Sequence, residues 1–281
     1  MKKRIKKNRL KAILMIAVVP LFLSACGTSA INSHSTGFWD HTILYNLGRL
    51  IIWLSGKTGG YGMGIIMITI LFRIVILPLM IYQVRSMKKV QEIQPAITAL
   101  QKKYSSKDAA TQQKLQEEMM KLYSEAGYNP ISGCLPLLVQ MPIIWALYQA
   151  IYRTHVLRTG TFLWMSLGGK DPYYVLPILA ALFTWLSSWL TMKSQPETNA
   201  MSNMMLWWMP ASIFIGALYV PSALSLYWVV SNAFQVLQTL VIQNPWKINR
   251  ERAAKEAEKK EKERAKKRAI KKINRSKKKK K

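Results

Sequence analysis

The apolar residues of this chain are bunched into long runs, separated by strongly basic polar stretches. Between Phe38 and Ser55, the apolar residues Ile43, Leu47, Leu50, Ile51 and Leu54 recur at helical spacing among Asp40, His41, Asn46 and Arg49. That stripe, bracketed by Trp39 and Trp53, predicts an amphipathic helix. It would lie on the external membrane surface or pack onto the rest of the protein. The first unbroken apolar run follows Gly59-Gly60 and extends from Tyr61 to Tyr82. It matches the length of about 20 residues that one bilayer span requires.

From Gln83 to Asn129 the pattern turns amphipathic. Val90, Ile93, Ile97, Leu100 and Tyr104 form one stripe, and Leu115, Met119, Leu122 and Ala126 form another. Ser105-Ser106-Lys107-Asp108 between them reads as a helix stop and a new N-cap, and Gly127 as a C-terminal cap. Two antiparallel helices outside the bilayer follow, with a kink or late start at Pro95. Further spans are expected from Ile131 to Tyr152 and from Tyr173 to Met192. The apolar stretch Met204 to Ile242 is too long for one span, and Pro221-Ser222 divides it into two joined by a tight turn. The pattern therefore predicts an all-α, polytopic membrane protein with five spans and a helical hairpin, 83–129.

The amino terminus changes this picture only at its edge. Seven basic residues between Lys2 and Lys11 precede a short apolar stretch, Ala12 to Leu23, and then Leu23-Ser24-Ala25-Cys26. This order reads as a cleaved signal peptide whose Leu-Ser-Ala-Cys resembles a lipobox, with Cys26 the acylated first mature residue. The other cysteine, Cys134, begins an apolar run and reads as a small buried packing residue.

The net charge of +28 fixes an orientation. Arg85, Lys88, Lys89, Lys102, Lys103, Lys107, Lys114 and Lys121 lie in the hairpin, and the tail after Trp246 ends in five consecutive lysines. Five spans place hairpin and tail on one side, which the positive-inside rule makes cytoplasmic. The signal peptide independently places the mature amino terminus outside. The tail carries interspersed Glu256, Glu258, Glu261 and Glu263 and no aromatic residue beyond Trp246, so it lacks base-stacking groups. It reads as a solvated helix or a disordered tail, with anionic lipid or ribosomal RNA as its partners.

Arg73 is the position that demands an explanation. It stands near the middle of the first span, where an arginine costs roughly 2.5–3.5 kcal/mol on insertion scales. No Asp or Glu occurs in any of the five spans. The remaining solution is a water-filled cavity lined by polar groups, with Thr69, Gln140, Gln149, Ser187, Ser188, Tyr227, Trp228, Asn232 and Gln235 as its lining. His34, His41 and His155 lack metal-ligand spacing. The chain has no phosphate-binding glycine loop, nucleophile elbow or zinc-protease motif. An enzyme with a cofactor or metal is therefore not expected.

Several stretches resemble the YidC membrane-protein insertase family. They are Thr69 to Arg73 through Leu77-Pro78-Leu79, Gln83 to Lys89, Gln91 to Pro95, Leu100 to Tyr104, Asn129-Pro130, Gly133 to Pro136, Gln140-Met141-Pro142, Leu226-Tyr227-Trp228 and Ser231-Asn232. The resemblance covers residues 38 to 246. It implies a five-helix core around a hydrophilic groove, closed outside and open to the cytoplasm and lipid, with Arg73 as the groove arginine. Relatives often carry Gln-Gln where this chain has Ser187-Ser188. The implied activity is insertion of nascent membrane proteins, alone or with the Sec translocon; a small solute transporter or channel is the alternative.

The expected organisation is a lipoprotein signal peptide (1–25) and an external segment with the amphipathic helix (26–60). An insertase core (61–246) and a basic cytoplasmic tail (247–281) complete it, in a bacterial plasma-membrane protein.

Overall fold

The computed structural model of the chain describes residues 29–106, 108–128, 135–196, 198 and 200–279. The expected signal peptide, Cys26, and the stretch from Ile131 to Cys134 lie outside those residues. A π-helical stretch, Phe38–Tyr45, leads into α1 (Asn46–Thr58). Next come α2 (Tyr61–Lys103), α3 (Ala109–Glu125), α4 (Leu135–Arg153) and the single turn α5 (His155–Arg158). A two-stranded hairpin of β1 (Thr161–Phe162) and β2 (Met165–Ser166) intervenes. The chain ends with α6 (Val175–Lys193), α7 (Ala200–Tyr219), α8 (Ser222–Ile242) and α9 (Pro245–Lys279).

Among the described residues, three helical stretches are long and apolar enough to cross a membrane: Tyr61–Lys103, Val175–Lys193 and Ser222–Lys271, the last apolar in its α8 portion. The helices α4 and α7 have 19 and 20 residues. The break at Val220-Pro221 separates α7 from α8, where the sequence pattern puts it.

Helix α2 differs from expectation. The boundary at Gln83 and the late start at Pro95 are absent, and one 43-residue helix runs through both Pro78 and Pro95. At 1.5 Å per residue it is about 65 Å long, roughly twice the hydrocarbon core. Its second half therefore projects beyond the bundle as the first arm of the hairpin. Each proline deletes one helical hydrogen bond. Both rings lie on exposed positions, where the adjoining turns keep their ladder and no packed neighbour has to move.

The second arm, α3, is capped at both ends by its own sequence. Ser106 donates to the Asp108 carboxylate at 2.5 Å, and that carboxylate accepts the Thr111 amide at 2.8 Å. Those bonds pull the Asp108 carboxyl down to about 2. A lowered pKa means the cap is complete above the ordinary carboxylate range and is lost as pH falls through about 2. At the other end Gly127 takes a φ of 61°. Its amide reaches the Ser124 carbonyl, and the Tyr128 amide reaches that of Tyr123. This is the paired bonding of a Schellman ending, with the Tyr123 and Tyr128 rings in edge contact at 5.4 Å. Lys89 donates to the Gly127 carbonyl at 3.1 Å and ties the arms together.

The opposite end of the bundle is sealed by α1, α5 and the β-hairpin. Leu44, Leu47, Ile51, Leu147, Leu157, Met165 and Leu167 are buried there in one cluster. The amphipathic stripe packs onto the rest of the protein: Leu47 and Ile51 are inside, and Ile43, Leu50 and Leu54 pack at the margin. Trp53 remains exposed. The loop after β2 caps α8, because the Gly169 and Leu167 carbonyls accept the amides of Ser222 and Ala223. Amides at a helix start have no partner inside the helix.

Arg153, at the end of α4, is buried and forms an ion pair with Asp40 through both carboxylate oxygens. It also donates to Gln149 at 2.9 Å and to the Ser29 carbonyl at 2.8 Å. The amino-terminal segment is thereby fastened to the sealed end. The sequence pattern puts Gln149 in the cavity lining. The structure puts it in this clamp at the sealed end instead.

Close approach of α1 and α2 depends on Gly64, where a Cβ would lie 2.1 Å from Ser55 Oγ and 2.7 Å from the Ile51 carbonyl. Gly64→Ala should therefore destabilise the protein by about 1–3 kcal/mol. Gly56 on the open face of α1 meets nothing within 4 Å, and Gly56→Ala should stabilise by about 0.5–1 kcal/mol. Thermal unfolding of both variants in one lipid nanodisc tests the opposite signs.

Candidate functional site

On α8, the residues Tyr227, Ser231, Gln235 and Gln238 recur every three or four positions and so share one face. That polar face meets α2 at Arg73. The guanidinium donates through Nε to Ser231 Oγ at 2.9 Å and through Nη2 to the same oxygen at 2.5 Å. Nη1 donates to Gln235 Oε1 at 3.1 Å. Tyr227 lies one turn before Ser231, is in hydrogen-bonding reach of it, and accepts from the Gln140 carboxamide of α4. A polar network thus crosses from α4 through α8 to α2.

Every partner in it is neutral. None of the three ion pairs among the described residues includes Arg73. Hydroxyl and carboxamide oxygens satisfy the N–H groups but leave the formal charge uncompensated. A cation held this way keeps a long-range attraction for anions that an ion pair would cancel.

From Gln235 the polar surface continues toward the hairpin end. One cavity of about 320 Å³ lies between α6, α7 and α8 and is lined by Ser187, Ser188, Thr191, Gln195 and Gln235, with Met205 and Met209 opposite. A second, of about 300 Å³, lies between α2, the ends of α6 and α8, and the start of α9. The two share Thr191, Gln195 and Gln235. The start of α9 is anchored beside them: Arg252 donates to the Ser194 carbonyl at 2.8 Å and Asn249 to that of Lys193 at 2.9 Å. Both are carbonyls at the end of α6, where a helix leaves its acceptors unpaired.

The structure therefore brings Arg73, Gln140, Tyr227 and Gln235 together and joins Ser187 and Ser188 to them through the first cavity. Besides Gln149, three residues expected in the lining stand elsewhere. Thr69 is fully buried and its hydroxyl returns to the Ile65 carbonyl of its own helix at 2.6 Å. Asn232 turns to α6, donating to Thr184 Oγ1 at 2.7 Å. Trp228 lies beside Gly216 of α7. For Asn232 and Trp228, the cause is the 100° step along a helix, which turns the neighbours of Ser231 and Tyr227 to other faces.

Ser231, the main acceptor for Arg73, was absent from the expected lining, as were Thr191, Gln195 and Gln238. Spacing was the available signal for two of them: Ser231 and Gln238 fall on the Tyr227–Gln235 face. No group of three potential metal ligands occurs among the described residues.

Residues 53–251 match the family model described as 60Kd inner membrane protein. A membrane protein insertase YidC 2 of Lactiplantibacillus plantarum is 57% identical over 252 residues, covering 89% of this chain and 91% of that protein. The membrane protein insertase YidC of Enterococcus faecalis is 52% identical over 256 residues, covering 90% and 93%. Among solved structures, an active YidC insertase crystal structure matches with a TM-score of 0.60 and 27% identity, over 81% of this chain and 50% of that longer one.

If Ser231 is the acceptor that makes Arg73 tolerable, Ser231→Ala should cost on the order of 1–3 kcal/mol, since it leaves charged donors unmatched. Adding Arg73→Met should restore most of that loss. A double-mutant cycle on unfolding in nanodiscs reads the coupling, and additive losses would show that the two side chains act independently.

Proposed function

We propose how this chain, which belongs to the YidC family of membrane protein insertases, moves a client into the cell membrane. A polar client tail enters the two connected cavities from the hairpin end, which the lysine-rich hairpin and tail make cytoplasmic. Arg73 attracts the acidic groups of that tail part-way across the bilayer. At about 4 Å and an effective dielectric near 20, such a pair gains roughly 4 kcal/mol. Desolvation offsets much of it, so the attraction is transient and the tail can leave. Net drive comes from the client's own apolar helix entering lipid.

The observation that carries this reading is the neutral coordination of Arg73 by Ser231 and Gln235. The sealed external end, with its buried cluster and the Arg153–Asp40 clamp, fits a cleft that opens on one side only. Five spans, formed by α2, α4, α6, α7 and α8, complete the proposed topology. A lipid anchor at Cys26 would hold the amino terminus outside, next to the clamp that fastens Ser29. The insertase names of the relatives favour this reading over a solute transporter or channel. No bond is made or broken in it, so no catalytic residue is assigned. The Sec translocon, ribosomal RNA and anionic lipid remain proposed partners, the last two through α9.

Insertion of clients graded by the acidic charge of their translocated tails tests the mechanism. Arg73→Lys should retain most activity, because the charge is kept while the guanidinium fork is lost. Arg73→Ala should remain folded yet fail on the most acidic tails and spare those with few charges. Equal loss for every client together with a lowered melting temperature would mean that Arg73 only pins α2 to α8.

A further inference from the structure

The second cavity holds a feature that attraction of acidic groups does not use. Five glutamines line it besides Gln235: Gln83 and Gln91 from α2, Gln195 after α6, and Gln238 and Gln243 from the end of α8. Among the described residues of the lining, Lys88 is the only charged side chain and none is a carboxylate. Gln238 is 6% exposed, and its Oε1 is buried without a hydrogen-bond partner. A buried carbonyl-type oxygen left unpaired costs about 1–3 kcal/mol, which a donor in the cavity recovers once the Gln238 carboxamide turns toward it.

A carboxamide carries one acceptor and two donors. It is thus the neutral counterpart of a peptide group, which offers one N–H and one C=O. A wall of glutamines can pair with the backbone of an extended chain whatever side chains that chain carries. It also supplies partners for backbone groups that leave water before any helix forms, where each unpaired group would be costly. Met80 and Met87, on the α2 wall of the same cavity, are flexible enough to accommodate side chains of different size.

We propose that this cavity is a backbone-binding site, in which Gln238 accepts a hydrogen bond from a main-chain N–H of the client's extended polar tail on its way to Arg73. The proposal rests on the insertase reading and names what the mouth of the cleft recognises. Gln235 joins the two stages, since it lines the cavity and also accepts from Arg73. Recognition through the backbone explains how one site can receive clients of unrelated sequence, with charge selection left to Arg73.

The test uses the full chain in nanodiscs and a fluorescent synthetic peptide made of a polar Gly-Ser tail joined to a short apolar segment. In a matched series, single tail amides are replaced by esters, which keeps the shape and removes one N–H. At one register the ester should weaken binding to the wild-type protein by about three- to tenfold, the effect of one lost hydrogen bond. Gln238→Met, which keeps the volume and removes the acceptor, should bind the amide peptide as weakly and show no further loss with the ester.

Equal ester sensitivity in both proteins, or none in either, would overturn the proposal. Release of a co-purified phospholipid by Gln238→Met, with peptide binding unchanged, would overturn it too and assign the cavity to a lipid headgroup. Each result is separable from the insertase mechanism, because Arg73→Ala would still discriminate against acidic tails if only the backbone site were wrong. Circular dichroism and melting temperature of Gln238→Met confirm that the variant compared is folded.

Discussion

A single arginine in the middle of an apolar helix dictates much of how the other helices are arranged. Arg73 cannot be left in hydrocarbon, and no acidic side chain pairs with it among the described residues. The polar face of α8 is the solution. Ser231 and Gln235, one turn apart, accept from the guanidinium, and Gln140 of α4 joins the network through Tyr227. The same chemistry that makes the cation tolerable preserves its charge. One arrangement therefore meets the structural need and the proposed use of the charge, and removing the arginine need not unfold the protein.

The two ends of the bundle answer different demands. At the sealed end, small residues bring backbones close, as at Gly64 against α1. A β-hairpin loop covers the start of α8, and Arg153 is matched by a carboxylate. At the hairpin end the cavities are lined by serine, threonine and glutamine, with methionine between them. Arg153 is neutralised at the sealed end, and Arg73 is left unneutralised near these cavities. The proposed direction of insertion rests on this asymmetry.

Much of this was legible in the sequence because membrane spans leave long apolar runs and breaks between them. Arg73, the division at Pro221 and the caps of α3 were visible as local signals. What was not visible depends on tertiary context. Pro95 reads as a kink or late start, yet α2 runs through it, the proline lying on an exposed position beyond the packed bundle. Thr69 looks like a polar lining residue, but it stays inside by bonding its own helix. Asn232 and Trp228 share a motif with Ser231 and Tyr227 but face other helices. The Arg153–Asp40 clamp joins residues 113 positions apart, and no local pattern announces it.

The central claim is that Arg73 stands in a wet cleft reached from the side that carries the hairpin and tail. Its most direct measurement is the reactivity of a cysteine at position 73 toward a charged, membrane-impermeant thiol reagent, with Cys134 replaced by serine. Arg73→Cys should be modified in inverted membrane vesicles and stay unmodified in intact cells. Leu71→Cys, at an exposed apolar position of the same helix, should resist the reagent in both. Absence of labelling at position 73 from either side, or labelling no faster than at position 71, would contradict the account.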